Sequence, residues 1–363
     1  MSASHKPNPV ALIMAGGTGG HIFPGLAVAE ALRASGWRVH WLGAPDSMEA
    51  RLVPERGFAF EPVNFGGVRG KGLLRLALLP LRLQLAFLQS FRVLRRLRPD
   101  VVLGLGGYIS FPGGMMSVLA GSPLLLHEQN AIAGLANKVL AQVAERVFTA
   151  YPKALPKGEW VGNPLRAAFT QQPPPAQRFA GRSGPLKLLV VGGSLGAKAL
   201  NDTVPQALAL IDPAQRPQVL HQSGAKQIEA LRAAYAAAGV QAELTAFIDD
   251  TAAAYAEADL VLARAGASTV TELAAVGAAA ILVPYPHAVD DHQTHNARFL
   301  VDAGAAWLLP QPQLKAADLA QQLQSLTRAE LLQRAERAHA QARTGAVQAL
   351  LQACQQQIAP KKP

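Results

Sequence analysis

Short runs of apolar residues alternate along this chain with longer stretches in which apolar positions recur at helical spacing. That alternation is the signature of βαβ units, in which parallel strands buried on both faces read as continuous apolar runs. In the first half the strand-like runs are Val10–Met14, Val39–Leu42, Val101–Leu105, Pro123–His127 and Arg146–Thr149. Helical stretches are expected after His21, near Leu73, after Tyr108 and near Ala133. The segment 171–185 then carries Pro173, Pro174, Pro175, Gly181, Gly184 and Pro185, which break regular structure. The spacing therefore predicts a linker over 166–185. Beyond it the rhythm restarts with Leu186–Val191, Gln218–His221, Glu243–Phe247, Leu260–Ala263 and Ala279–Val283, and the chain closes on an Ala-, Leu- and Gln-rich helical stretch from Lys315 to about Gln356.

Both halves open alike, with an apolar run leading into a glycine-rich turn: AGGTGGH from Ala15 and VGGSLGA from Val191. The fold class this predicts is α/β, with two Rossmann-like doubly wound domains facing across a cleft. The expected boundaries are 8–165, 186–340 and a helical tail over 341–363. A length of 363 residues, half of them hydrophobic, supports two cores of ordinary size. The single cysteine, Cys354, excludes an intramolecular disulfide framework and points to a reducing compartment. The polar start lacks the apolar core of a signal peptide, and no apolar stretch is long enough to span a bilayer.

Charge changes the picture because it is concentrated. The formal net charge is +10, and no acidic residue lies between Glu61 and Asp100, an interval holding Arg69, Lys71, Arg75, Arg82, Arg92, Arg95, Arg96 and Arg98. Leucines accompany these cations instead of stacking aromatics, which argues against nucleic acid as the partner. The segment 69–98 reads either as a core helix with snorkelling arginines or as a surface that dips into lipid and pairs with anionic head groups, and the second reading is preferred.

The candidate chemistry lies at strand-to-helix turns. Gly16, Gly17, Thr18, Gly19, Gly20 and His21 follow a strand and open a helix, so their backbone amides can approach an anion closely. The turn lacks the lysine of a P-loop and the spacing of the dinucleotide fingerprint. Similar turns stand at Gly192–Ala197 and Gly104–Gly107, and three of them together favour a ligand carrying several phosphates over plain tight turns. The stretch 263–272 admits two readings. Thr269 and Glu272 have capping-box spacing, with Ser268 an alternative cap; equally, the helix start receives a diphosphate while Glu272 accepts from ribose hydroxyls. His127, Glu128, Gln129 and Asn130 crowd a strand end, where ligands bind in this fold class. His287, Asp290, Asp291, His292 and His295 fall short of a metal-ligand pattern, so no metal and no cofactor is expected.

Taken in order, AGGTGGHIFPGLAVAEAL, GLGGYISFPGG, HEQNAIAGLANK, VGNPLR, VVGGSLGAKALN, RAGASTVTEL and PYPHAVDDHQTHNA resemble the MurG family of peptidoglycan N-acetylglucosaminyltransferases, from Ala15 to Ala297. The resemblance implies a GT-B fold, with the acceptor and the membrane held by the N-terminal domain and UDP-N-acetylglucosamine (UDP-GlcNAc) by the C-terminal one. It implies donor contacts from Ser194, Ile248, Ala267, Ser268, Thr269, Val270, Thr271, Glu272 and Gln293, with Arg166 beside the phosphates. Thr18, Gly19, Gly20 and Asn130 would close on the donor from the other domain. His21, Tyr108, His127, Glu128, Asn130 and Asn201 would surround the acceptor. The implied reaction is inverting transfer of GlcNAc to the 4-hydroxyl of the N-acetylmuramyl unit of lipid I, giving lipid II and UDP. The implied location is peripheral, on the cytoplasmic face of the cell membrane.

Inversion needs a base on the acceptor side and charge stabilisation at the departing diphosphate. His21 is the first candidate, since an imidazole ordinarily titrates near working pH; Glu128 is the second. His21 at the first position of its helix would alternatively only orient the acceptor. Two other functions share parts of this pattern: a UDP-GlcNAc 2-epimerase, which needs no basic leucine-rich surface, and a non-catalytic UDP-sugar-binding membrane protein.

Overall fold

The computed structural model describes residues 8–66, 78–193 and 196–358. They form two compact units: Met1–Leu165 together with Thr344–Pro363, and Arg166–Arg343. In the first unit the strands are β1 (Val10–Met14), β2 (Arg38–Gly43), β3 (Ala59–Pro62), β4 (Val101–Gly104), β5 (Leu124–Glu128), β6 (Arg146–Thr149) and β7 (Glu159–Trp160), paired in the order β3-β2-β1-β4-β5-β6-β7. All pairings are parallel. Because side chains alternate across a strand, β1 feeds two cores. Ala11 and Ile13 pack with Ile22, Leu26 and Ala29 of the helix Gly19–Ala34, while Leu12 and Met14 pack with Ala86, Val93 and Leu94 of the helix Leu79–Leu97.

The second unit repeats the plan with β8 (Lys187–Val191), β9 (Gln218–Gln222), β10 (Glu243–Thr245), β11 (Leu260–Ala263), β12 (Ala280–Leu282) and β13 (Ala306–Leu308), ordered β10-β9-β8-β11-β12-β13 and again parallel throughout. Each sheet reverses its strand order once, beside its first strand: between β1 and β4, and between β8 and β11. Crevices that bind ligands form at the carboxyl ends of strands at such a switch point.

Two expectations about organisation are corrected. The stretch 166–185 belongs to the second unit. It forms two short helices, Ala167–Thr170 and Pro175–Phe179, the latter with Pro175 at its first position, where a missing N–H costs nothing. Phe169 and Phe179 are buried, and the Arg178 guanidinium donates to the carbonyls of Ala256 at 2.7 Å and Val276 at 2.9 Å. The tail forms the helix Ala346–Ile358, which buries Leu350, Ala353 and Cys354 in the core of the first unit. Strands β3, β7 and β13 are short and lie outside the runs read from the sequence. The helical stretch expected near Leu73 begins outside the described residues; Leu79–Leu97 is its described part.

Candidate active site

In the first unit the turns after β1 and β4 lie against each other. A side chain at Gly107 would run into the carbonyl of Gly16, and Gly107 holds φ +83°, a conformation that glycine alone adopts without strain. Ser110 ties the pair together, its hydroxyl donating to the carbonyls of Met14 at 3.0 Å and Gly106 at 2.7 Å. Beneath them Glu49, fully buried, accepts from Gly17 N–H at 3.2 Å and Ala44 N–H at 3.3 Å. Glu49 carries no motif and was not singled out in the sequence; its signal exists only in three dimensions.

The helix opens at Gly19 with Thr18 as its N-cap, so His21 is the third helical residue and not the first. Its Nδ1 lies 2.8 Å from Oε1 of Gln129. Nε2 of Gln129 lies 2.9 Å from Nδ1 of His127 and 3.1 Å from the His127 carbonyl, and Nε2 of His127 lies 2.9 Å from the Gly162 carbonyl. Burial pushes the His127 imidazole down to about 4; the bond to Gly162 opposes this and the neighbouring His21 adds to it. Tyr108 rests over Gly17 and meets the ring of Phe65 edge-on at 6.3 Å. Thr18, Gly19, Gly20, His21, Tyr108, His127, Glu128 and Asn130 thus stand together at the carboxyl ends of β1, β4 and β5.

Glu128 is committed to its own loop. Oε1 accepts from Asn130 N–H at 2.8 Å and from the Asn130 side chain at 3.2 Å; Oε2 accepts from Asn137 Nδ2 at 2.8 Å and, more weakly, from Gly134 N–H at 3.4 Å. The carboxylate is buried.

In the second unit the helix Ala267–Val276 starts at the β11 end with Gly266 as N-cap and no side-chain cap. Thr269 and Glu272 therefore sit inside the helix, which removes the capping-box reading, and Ser268 is no cap either. Thr269 bonds instead to the buried phenol of Tyr255, whose pKa burial and the Glu272 charge raise. Burial pushes the Glu272 carboxyl up to about 7, against the attraction of Arg166. Arg166 is exposed, its guanidinium carbon 5.1 Å from the centre of the Phe169 ring. The Ser268 hydroxyl oxygen is buried without a partner among the described residues. Gln293 accepts from Tyr285 N–H at 2.9 Å, and Ile248 follows β10. Val270 and Thr271 turn inward and are buried.

Asn201, grouped with the acceptor by resemblance, is 4% exposed with its amide fully used: Nδ2 donates to the Ser223 carbonyl at 3.2 Å and to Gln227 at 2.9 Å, and Oδ1 accepts from His221 Nε2 at 3.1 Å. That geometry makes it a support for the Ser223 carbonyl, which a side chain at Gly196 would strike. Ser194 lies outside the described residues. His292 donates through Nδ1 to the Val289 carbonyl at 2.7 Å. Among the described residues no three His, Cys, Asp or Glu side chains gather as a metal site. A cavity of about 200 Å³ bordered by Lys187, Gln218 and Glu243 opens at the amino ends of β8 and β9, the opposite end from these turns.

Comparison with known proteins gives the family. Residues 11–149 match the glycosyltransferase family 28 N-terminal domain and residues 187–352 its C-terminal domain. A UDP-N-acetylglucosamine--N-acetylmuramyl-(pentapeptide) pyrophosphoryl-undecaprenol N-acetylglucosamine transferase of Paracidovorax citrulli is 69% identical over 346 residues, covering 95% of this chain and 98% of the relative. The protein of the same description from Verminephrobacter eiseniae is 69% identical over 350 residues, with the same coverage. Among solved structures, Acinetobacter baumannii MurG superposes with a TM-score of 0.85 at 40% identity, covering 96% of this chain and 99% of that one. A kitacinnamycin glycosyltransferase, at 17% identity and a TM-score of 0.67 over 98% of this chain and 100% of its own, shares the fold. With both domain matches and near-complete relatives, the chain belongs to glycosyltransferase family 28, as an N-acetylglucosaminyltransferase of GT-B fold.

Proposed function

We propose that the enzyme transfers GlcNAc from UDP-GlcNAc to the 4-hydroxyl of the N-acetylmuramyl unit of a pentapeptide-bearing pyrophosphoryl-undecaprenol, with inversion, and that His21 is the base. One observation carries the assignment of the base: among the described residues His21 uses only Nδ1 in hydrogen bonding, whereas both oxygens of Glu128 are taken. Nε2 of His21 removes the proton as the acceptor oxygen attacks the anomeric carbon. The bond from that carbon to the diphosphate breaks on the opposite side, and UDP leaves with the electron pair. A base at this step typically contributes about 10²–10⁴ in rate.

The departing charge is met in the second unit. Helix N-termini direct the positive end of the helix dipole at anions, and the first turn at Ala267, Ser268 and Thr269 is such an end, with the Ser268 hydroxyl beside it and Arg166 as the exposed cation. Glu272 accepts from the ribose hydroxyls, with Ile248, Gln293 and Ser194 around the nucleotide and sugar. Thr18, Gly19, Gly20 and Asn130 complete the donor contacts and Tyr108 those to the acceptor, while His127, buried with both ring nitrogens bonded to Gly162 and Gln129, supports the site from beneath.

The lipid acceptor is met at a membrane. Leu78, Leu81, Leu85 and Leu88 recur at spacings of three and four along the helix Leu79–Leu97 and are all exposed, Leu81 at 65%. Arg82, Arg92 and Arg95 are exposed on the same helix, whereas Arg96 is bound to Glu61. An apolar stripe with cations suits an anionic lipid surface, peripherally bound; among the described residues no helix is long and apolar enough to cross a membrane. The test of the reaction is incubation with labelled UDP-GlcNAc, with and without the lipid acceptor. Acceptor-dependent UDP release with label on the lipid supports transfer; acceptor-independent formation of an epimer, or binding without turnover, overturns it.

A further inference from the structure

His21 is joined to two main-chain carbonyls through Gln129 and His127, and a carbonyl oxygen only accepts hydrogen bonds. That constraint orients every group between. Nε2 of His127 faces the Gly162 carbonyl and so carries a hydrogen. His127 is buried and its pKa is depressed, so the ring is neutral near pH 7 and its Nδ1 is an acceptor. Gln129, 1% exposed, turns its NH₂ toward the His127 carbonyl and that Nδ1, so its Oε1 faces His21 as an acceptor. The hydrogen of neutral His21 is thereby on Nδ1, and its lone pair on Nε2.

We infer that Gln129 is a positioning residue for the transfer: with His127 and the Gly162 carbonyl it assigns the His21 proton to Nδ1 and keeps Nε2 as the basic atom. A solvated histidine side chain favours the opposite tautomer, so without this relay most of the neutral ring would present an N–H to the acceptor hydroxyl and be inert as a base. Gly106 completes the device, since a Cβ there would lie 2.9 Å from both Nδ1 and Cε1 of His21. Only a glycine lets the ring edge settle against the turn while it reaches Gln129. The inference rests on His21 being the base.

Nitrogen-15 spectra of the full chain labelled at histidine, taken where imidazoles are neutral, read the tautomers without any substitution. The expected result is a pyrrole-type Nδ1 at His21 and a pyrrole-type Nε2 at His127. A pyrrole-type Nε2 at His21 overturns the inference. Gln129→Met, which keeps the length and removes both hydrogen-bonding atoms, should move the His21 proton to Nε2. It should lower kcat about tenfold, with KM for donor and acceptor within about twofold, part of the full contribution of a base. If His21→Ala loses kcat but Gln129→Met keeps both kcat and the Nδ1 proton, the relay falls and the base stands. If His21→Ala keeps its kcat, the base assignment falls and the relay with it.

Discussion

Asn137 donates from Nδ2 to Oε2 of Glu128 at 2.8 Å, and that bond joins a residue nine positions along the chain to the end of β5. With the donors of Asn130 on Oε1, it makes Glu128 the organiser of the loop 129–137. Glu128→Gln replaces one oxygen by an NH₂ group that faces N–H donors. Each group left without an acceptor costs about 1–3 kcal/mol, so the variant should melt well below the wild type. Thermal unfolding beside steady-state rates checks this. A variant with unchanged Tm and kcat reduced more than a hundredfold would move the base to Glu128.

Glu272→Ala should weaken UDP-GlcNAc binding about tenfold or more through the lost ribose contacts, as titration calorimetry would read. It should not cost the stability of a lost cap, because the cap of that helix is Gly266. Burial raises the Glu272 pKa to about 7, so the ionised carboxylate weakens the fold as pH rises from the unfolded value of about 4.5 through 7. Glu272→Gln should therefore stabilise the protein at pH 8, by up to about 3 kcal/mol, and leave it little changed at pH 4.5. A variant destabilised equally at both values contradicts the account.

The buried histidines act with the opposite sign. Burial depresses His127 to about 4 and His221 to about 3, so between those values and about 6.5 the unfolded chain binds more protons than the folded one. Stability therefore falls as pH is lowered through that window, by up to about 1.4 kcal/mol per pH unit for each ring. His221 holds Tyr235 at 3.0 Å and Asn201 at 3.1 Å. His221→Gln should lower Tm at pH 7 yet flatten its decline toward pH 5. An equally steep decline in the variant would rule out His221 as a source of the acid sensitivity.

Leu81→Ser with Leu85→Ser should reduce binding to anionic vesicles at every salt concentration, since buried apolar area is not screened. Arg82→Gln with Arg92→Gln and Arg95→Gln should reduce it by about 1 kcal/mol per cation at low salt and have little effect at high salt. Leu79 and Leu83 are different: they pack partly buried against the core, so serine there should lower Tm instead. Unchanged vesicle binding by the folded leucine variant would direct the lipid to another surface.

The sequence carried the parts of this structure that depend on local pattern. β1, β6 and β11 have the bounds read from the sequence; in β1 and β11, buried on both faces, no polar position blurs the ends. The glycine-rich turns and the strand-end cluster at His127–Asn130 were legible for the same reason. The proline-rich stretch misled, because a proline that breaks a helix interior also starts a helix, as Pro175 does. Glu272 could not be placed because cap and ligand contact share one spacing, and only the helix bounds, with Gly266 as N-cap, remove the cap. Gln129 and Glu49 act through partners 108 and 32 positions away, His21 and Gly17, and no local pattern encodes such pairs.

The central claim is that His21 removes the acceptor proton. It is tested most directly by kcat for His21→Ala with the lipid acceptor saturating, beside the UDP-GlcNAc affinity of the same preparation. The account predicts kcat reduced by about 10²–10⁴ with donor affinity unchanged within about twofold, because the group acts on the acceptor hydroxyl in the transition state. A kcat within a few-fold of the wild type would contradict it.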